Sequence, residues 1–171
     1  PAQRAEAGLL TGRSLLSIKQ PKQAIGILQA AISAHPKWEF ADEVTLVLGL
    51  AQRDANDTAA ATATLKGLIS KYPKSTFLDH ASYQLAEFDR VAKRYPPALS
   101  GYQKSITAKP AGSFAPLSHL GIASIYYEQQ KLVESVTACS QIVSKFPKAP
   151  ANVLATAMYL RGMAQQQQGK Y

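Results

Sequence analysis

Apolar side chains recur at helical spacing along this chain, and the same arrangement returns in four segments. Within residues 22–35, 58–72, 97–109 and 132–146, a small residue is followed after four positions by a larger one and after four more by a β-branched one. The aligned sets are Ala24, Leu28 and Ile32; Ala61, Leu65 and Ile69; Ala98, Tyr102 and Ile106; and Ser135, Cys139 and Val143. Because residues four apart lie on one face of an α-helix, each segment predicts a helix with one buried face.

Prolines repeat with the same period as these segments. Pro36, Pro73, Pro110 and Pro147 follow one another at three equal intervals of 37 residues, and each stands just beyond one of the predicted helices. The text after each of the first three prolines, such as FADEVTLVLGLAQR, again carries apolar residues at helical spacing. No run alternates with the period of a strand. Equal intervals of this length indicate tandem structural units of helix, turn, helix and proline loop.

We therefore predict an all-α chain folded as an α-solenoid of helix-turn-helix repeats with a 37-residue period. The repeats span about residues 1–36, 37–73, 74–110 and 111–147, followed by a partial repeat at 148–171. A solenoid of this kind forms one continuous array in which each repeat contacts its neighbours. Because the first and last repeats are incomplete in this reading, we expect the chain to be a fragment of a longer array.

The repeat text resembles the tetratricopeptide repeat. The resemblance rests on the closing proline, on pairs such as Leu48-Gly49 and Ile122-Ala123, and on the Ala24/Leu28 spacing and its equivalents. The family's Trp is missing from every repeat, and the period is 37 residues rather than 34. The stretch YPKSTFLDHASYQLAEF resembles bacterial cell-envelope members of the Tol-Pal-associated periplasmic and outer-membrane assembly lipoprotein types. The resemblance implies a right-handed superhelix, a role in protein–protein interaction, and a periplasmic or envelope location in preference to a cytoplasmic one.

Sequence patterns of catalysis and metal binding are absent. The chain contains no P-loop, GxGxxG, HExxH, CxxC or GxSxG motif, and its three histidines have no partner at metal-ligand spacing. Cys139 stands at the position of Leu28 and Leu65, which predicts an inert core thiol. We therefore expect no enzymatic activity, no catalytic residue, no cofactor and no metal site.

The net charge of +8 has two interpretations. Lysines flank the loop prolines at Lys71, Lys74, Lys109, Lys145 and Lys148. Lysines in the last turn of a helix complement the negative end of its dipole, so a solvated basic edge explains them. The alternative is a strip that binds anionic lipid or a cell-wall polymer. No nucleic-acid motif accompanies the lysines, so we expect no nucleic-acid partner and only indirect contact with a membrane.

A candidate binding surface follows from the family geometry, in which the first helices line a concave groove. A stripe at i, i+3, i+7 and i+10 combines Tyr and Arg, which dominate interface hot spots, with several leucines. The predicted groove residues are Arg13, Arg53, His80, Tyr83, Glu87, Arg90, Tyr127, Tyr159 and Gln166. This surface favours a scaffold that binds a peptide or protein segment. Two alternatives stay open: the leucines only pack between repeats, or the open repeat ends stack into homo-oligomers.

Overall fold

The computed structural model describes residues 2–169, and over that range the chain forms nine α-helices and no strand, as the predicted all-α class requires. Within the same range, none of the helices combines the length and hydropathy that a membrane span needs. The helices are α1 Ala2–Ser17, α2 Pro21–Ala34, α3 Ala41–Asp54, α4 Thr58–Lys71, α5 Leu78–Val91, α6 Tyr95–Ala108, α7 Phe114–Glu128, α8 Leu132–Lys145 and α9 Ala151–Gln167.

The turn between the two helices of a repeat is the same in all four cases. Lys19, Asn56, Lys93 and Gln130, each 37 residues after the last, have φ between 58° and 64°. The next residue donates its N–H to a carbonyl five positions back, as Arg94 does to Asp89 at 2.8 Å. This is a Schellman arrangement, which ends the first helix and reverses the chain. The repeat is therefore present in the backbone as well as in the side-chain pattern.

The first residues of the second helices explain where these helices begin. Asp57 accepts a hydrogen bond from the N–H of Ala60 at 2.9 Å and so caps α4, as its side chain predicts. Helix α6 begins at Tyr95, two residues before the start that Pro97 suggests. The earlier start is possible because a proline in the first turn lacks only an N–H that would have no helical partner.

The chain divides into two compact units, the first ending at Ala81 and the second beginning at Ser82. In unit 1, α2 packs against α1 and α3, and α3 packs against α4. Its core contains the predicted positions Ala24, Leu28, Ala61 and Leu65, all fully buried. The third predicted position is one residue too late, because Ala31 and Leu68 are buried whereas Ile32 and Ile69 are only partly buried. Seven residues turn a helix almost two full turns, so they return nearer to the buried stripe than eight do.

Unit 2 contains the rest of α5 and helices α6 to α9. Helix α7 packs against α6, α8 and α9, and the predicted core positions Ala98, Tyr102, Ser135 and Cys139 are fully buried. Here too the predicted third position is one residue too late, because Ser105 and Ile142 are buried whereas Ile106 and Val143 are only partly buried. One cluster of buried residues joins α5, α6 and α7 through Ala86, Ala98, Tyr102 and Ile125, and α8 packs against both α7 and α9.

Candidate functional site

A groove of about 370 Å³ opens in unit 2 along the first helices of three successive repeats. Four predicted site residues line it: Tyr83, Glu87 and Arg90 from α5, and Tyr127 from α7. The other lining residues are Leu117, Leu120, Gly121, Ser124 and Glu128 from α7, and Thr156 and Leu160 from α9. Residues 83, 87 and 90 lie on one face of α5, and 120, 124 and 127 repeat that face 37 positions later.

Arg90 lies between two carboxylates at this groove. Its Nη2 is 3.1 Å from Glu87 Oε2, and its Nη1 is 3.1 Å from Glu128 Oε1. Burial alone would lower the pKa of the Arg90 guanidinium, but the hydrogen bond and charge of Glu87 outweigh it and hold that pKa above its ordinary value. The guanidinium is therefore a cation that joins α5 to α7, with one N–H group bound to each carboxylate.

Tyr102 connects this ion pair to the core. Its ring is fully buried, and its hydroxyl donates a hydrogen bond to Glu87 Oε1. Burial and the neighbouring Glu87 carboxylate both raise the pKa of Tyr102, so the hydroxyl keeps its proton and remains a donor. Sequence reasoning placed Tyr102 in the core but assigned no role to its hydroxyl, and it missed Glu128, which stands 38 residues after Arg90.

Aromatic and aliphatic side chains form the rest of the wall. The Tyr83 ring centroid lies 5.3 Å from that of Phe114 and 6.0 Å from that of Tyr102. The Tyr127 hydroxyl accepts a hydrogen bond of 2.7 Å from Gln167 Nε2. Leu117 and Leu120 pack against the core around Cys139 and also line the groove.

The predicted site residues of unit 1 are engaged in local charge interactions. Arg13 on α1 forms an ion pair with Glu43 on α3, and Arg53 forms one with the adjacent Asp54 at 2.8 Å. Burial lowers the pKa of His80 to about 4, with the charge of Asp79 opposing that shift and the charge of Arg53 adding to it. His80 is therefore neutral at neutral pH.

Tyr159 and Gln166 are exposed on α9 and do not line the groove. Its α9 wall consists of Thr156 and Leu160, which the sequence stripe did not select. In the repeat register Thr156 is equivalent to Leu117 and Leu160 to Gly121, once the loop before α9 is taken as two residues longer. Leu117 and Gly121 both line the groove from α7, so the repeat register could have identified Thr156 and Leu160 as groove residues.

The arrangement offers no metal centre or reactive thiol among residues 2–169. No group of three or more His, Cys, Asp or Glu side chains lies close enough to hold a metal ion in that range. Cys139 is buried, and burial raises the pKa of its thiol to about 11. A neutral, inaccessible thiol is a poor nucleophile, which agrees with its predicted packing role.

Comparison with known families identifies the repeat. A family model described as "Tetratricopeptide repeat" matches residues 6–37, 44–75 and 118–149. These segments cover most of the two helices of the first, second and fourth predicted repeats. Among curated proteins, none matches the sequence.

Solved structures share the fold at low sequence identity. A tetratricopeptide repeat protein from Parabacteroides merdae superposes with a TM-score of 0.78 and 15% identity over 98% of this chain, which spans 61% of that protein. The MamA protein superposes with a TM-score of 0.76 and 16% identity, over 99% of this chain and 85% of the MamA chain. The TPR-like repeats of a putative kinesin light chain from Podosopora anserina superpose with a TM-score of 0.74 and 15% identity, over 99% of this chain and 89% of that chain. These likenesses show an all-α solenoid of helical repeats.

Proposed function

Because this chain belongs to the tetratricopeptide repeat family, we propose that it is a non-enzymatic scaffold that binds a peptide or protein segment in the groove of unit 2. Repeats of this family generally mediate protein–protein interaction. The observation that carries the proposal is the groove itself, whose wall is contributed by the first helices α5, α7 and α9. Its volume of about 370 Å³ lies within the range of roughly 300–1,000 Å³ for ligand clefts.

The chemistry of the wall indicates what such a segment contributes. Leu117, Leu120 and Leu160 offer apolar surface, and the Tyr83 ring adds an aromatic face. The Arg90 guanidinium is already paired with Glu87 and Glu128, so a ligand carboxylate would have to compete with both. We therefore expect a segment that inserts apolar side chains and makes polar contacts at the rim, with little dependence on salt.

The test blocks the groove at a residue whose replacement leaves the core alone. Thr156 is exposed on the rim, and its hydroxyl donates only to the carbonyl of Asn152 in its own helix. Thr137 on α8 is its match, since it is also exposed and donates to the carbonyl of Val133. A partner captured from the native organism's lysate is identified by mass spectrometry, and its binding segment is titrated against each variant.

Thr156→Trp is expected to weaken that segment by about tenfold or more, which corresponds to roughly 1.4 kcal/mol, while Thr137→Trp leaves the affinity unchanged. Circular dichroism and the melting temperature confirm that both variants fold. Equal affinity of the two variants for the same segment would remove the groove from the proposal.

Self-association is a second candidate function, and exposed apolar side chains on α9 favour it. Met158 is 49% exposed and Tyr159 is 69% exposed. Burying large apolar side chains between copies would be favourable in proportion to the area removed from water. Sedimentation velocity at several concentrations tests this: Met158→Glu should abolish any concentration-dependent species, and a single monomeric species in the unmodified protein would exclude it.

A further inference from the structure

A second concave surface lies in unit 2, at the loops that precede α7 and α9. It has a volume of about 700 Å³, larger than the groove, and shares no lining residue with it. We refer to it as the loop cleft. Its lining residues are Pro110, Ala111, Gly112, Ser113, Pro116, Lys145, Phe146, Pro147, Lys148, Ala149 and Pro150.

Small residues line this space from the loop before α7. Ala111 and Gly112 occupy the positions that Lys37 and Trp38 hold two repeats earlier. The loop is held by its own backbone, since the N–H of Gly112 donates to the carbonyl of Lys109 at 2.9 Å. A large side chain introduced at either position would therefore extend from a fixed turn that lines the cleft.

The walls of the loop cleft are apolar. Four prolines and Phe146 contribute to them, and the Phe146 ring centroid lies 5.4 Å from that of His119. Proline has no backbone N–H, so much of this surface offers no donor to a ligand. Such a surface favours contact with an apolar side chain, and the His119 contact supports the ring that forms part of it.

The charged side chains that line the cleft are both lysines. Lys145 and Lys148 line it, and within residues 2–169 neither forms an ion pair with a carboxylate. The lining residues lie within two sequence segments, 91–127 and 135–169, that contain no Asp or Glu. Helices α7 and α9 also begin at the cleft, and neither Ser113 nor Pro150 caps its helix with a side chain, which adds to the positive potential.

We propose that the loop cleft docks an extended acidic peptide segment that carries at least one apolar side chain. The lysines complement its carboxylates, and the proline and Phe146 walls receive the apolar side chain. A concave apolar surface with two lysines suits a single chain better than a membrane surface, which would require basic groups projecting from a convex face. This proposal concerns a surface separate from the groove and does not depend on the groove being a binding site.

The repeat provides a matched control for the charge. Lys71 and Lys74 in SKYPKSTF are equivalent to Lys145 and Lys148 in SKFPKAPA, 74 residues later. A random peptide library displayed on phage is selected against the unmodified protein, and the affinities of enriched peptides are measured by fluorescence anisotropy. We expect enriched peptides that combine Asp or Glu with an apolar residue.

Replacing both lysines of the cleft by Glu, Lys145→Glu with Lys148→Glu, should weaken these peptides by about tenfold or more, whereas Lys71→Glu with Lys74→Glu should change their affinity by less than about twofold. Ala111→Trp, which fills the cleft without changing its charge, should have the effect of the first pair, and Ala63→Trp on the exposed face of α4 should have none. Thr156→Trp in the groove should also have none.

Three results would overturn the proposal. The first is a selection that enriches no acidic peptides. The second is equal weakening by the two lysine pairs, which would indicate general electrostatic attraction to a basic protein. The third is equally strong competition by single-stranded DNA or by phosphatidylglycerol vesicles that is insensitive to Ala111→Trp, which would assign the lysines to another class of polyanion.

Discussion

Leu65 in unit 1 and Tyr102 in unit 2 occupy the same repeat position, and both are fully buried. A Cβ placed on Gly49 would lie 2.7 Å from Leu65 Cδ2, so the leucine fits against the glycine of its own repeat's first helix. A Cβ placed on Gly121 would lie 2.3 Å from Tyr102 Cζ. The longer tyrosine thus reaches the first helix of the following repeat and needs a glycine there.

The difference changes the chemistry of the neighbouring surface. A buried hydroxyl needs a hydrogen-bond partner, and Tyr102 finds one in Glu87, which in turn binds Arg90. In unit 1 the position of Glu87 is held by Leu50. An exchange at one core position therefore goes together with an ion-paired groove in unit 2, which shows how a uniform backbone repeat can present different surfaces.

The largest predicted effect comes from a substitution that disrupts the packing of Tyr102. Gly121→Ala should cost on the order of 1–3 kcal/mol of unfolding free energy, because the new methyl group overlaps a rigid ring whose hydroxyl is bound. Gly162→Ala on α9 is the matched control: nothing lies within 4 Å of its Cβ position, so a gain of up to about 1 kcal/mol from helix propensity is expected. Urea unfolding followed by circular dichroism measures both, and equal stability of the two variants would contradict the packing argument.

A second prediction concerns a repeat position at which unit 1, rather than unit 2, has the polar residue. His80 in unit 1 is equivalent to Leu117 in unit 2. The pKa of His80 is about 4 in the folded protein, below its ordinary value of 6.5. The folded state therefore disfavours the proton, so the stability that the neutral imidazole provides is present above pH 6.5 and is lost as the pH falls from 6.5 towards 4.

Since His80 is partly exposed, we expect this loss to be on the order of 1–2 kcal/mol, less than the full shift would give. Urea unfolding at neutral pH and near pH 4.5, followed by the fluorescence of Trp38 in unit 1, measures it. His80→Leu, which installs the residue of unit 2, should remove most of this pH dependence while His119 remains in both proteins. An unchanged pH dependence in that variant would show that other groups cause it.

The repeat register was predictable from sequence because it depends on local helical spacing and on a fixed period. The burial of Ala61, Leu65, Ala98 and Tyr102 followed from that period. The contact of Tyr102 with Gly121 could not be predicted from that period. The glycine of unit 1 meets the leucine of its own repeat, whereas Tyr102 meets a glycine of the following repeat. The loop cleft was only partly predictable: Lys145 and Lys148 belong to the basic edge that the sequence indicates, but the concave wall forms where two loops of successive repeats meet in space.

The smallest predicted effect lies where the two units should behave alike. Lys19 in unit 1 and Lys93 in unit 2 have φ of 61° and 58° in the same Schellman turn. A side chain in this left-handed conformation costs roughly 1–2 kcal/mol, whereas glycine adopts it freely but loses more conformational entropy on folding. Lys19→Gly and Lys93→Gly should therefore each stabilise the protein by about 0.5–1 kcal/mol, and Asn56→Gly by less, because Asn tolerates this conformation better. Thermal and urea unfolding of the three variants provide the measurement, and a gain for Asn56→Gly as large as that for both lysine variants would show that backbone conformation does not limit these turns.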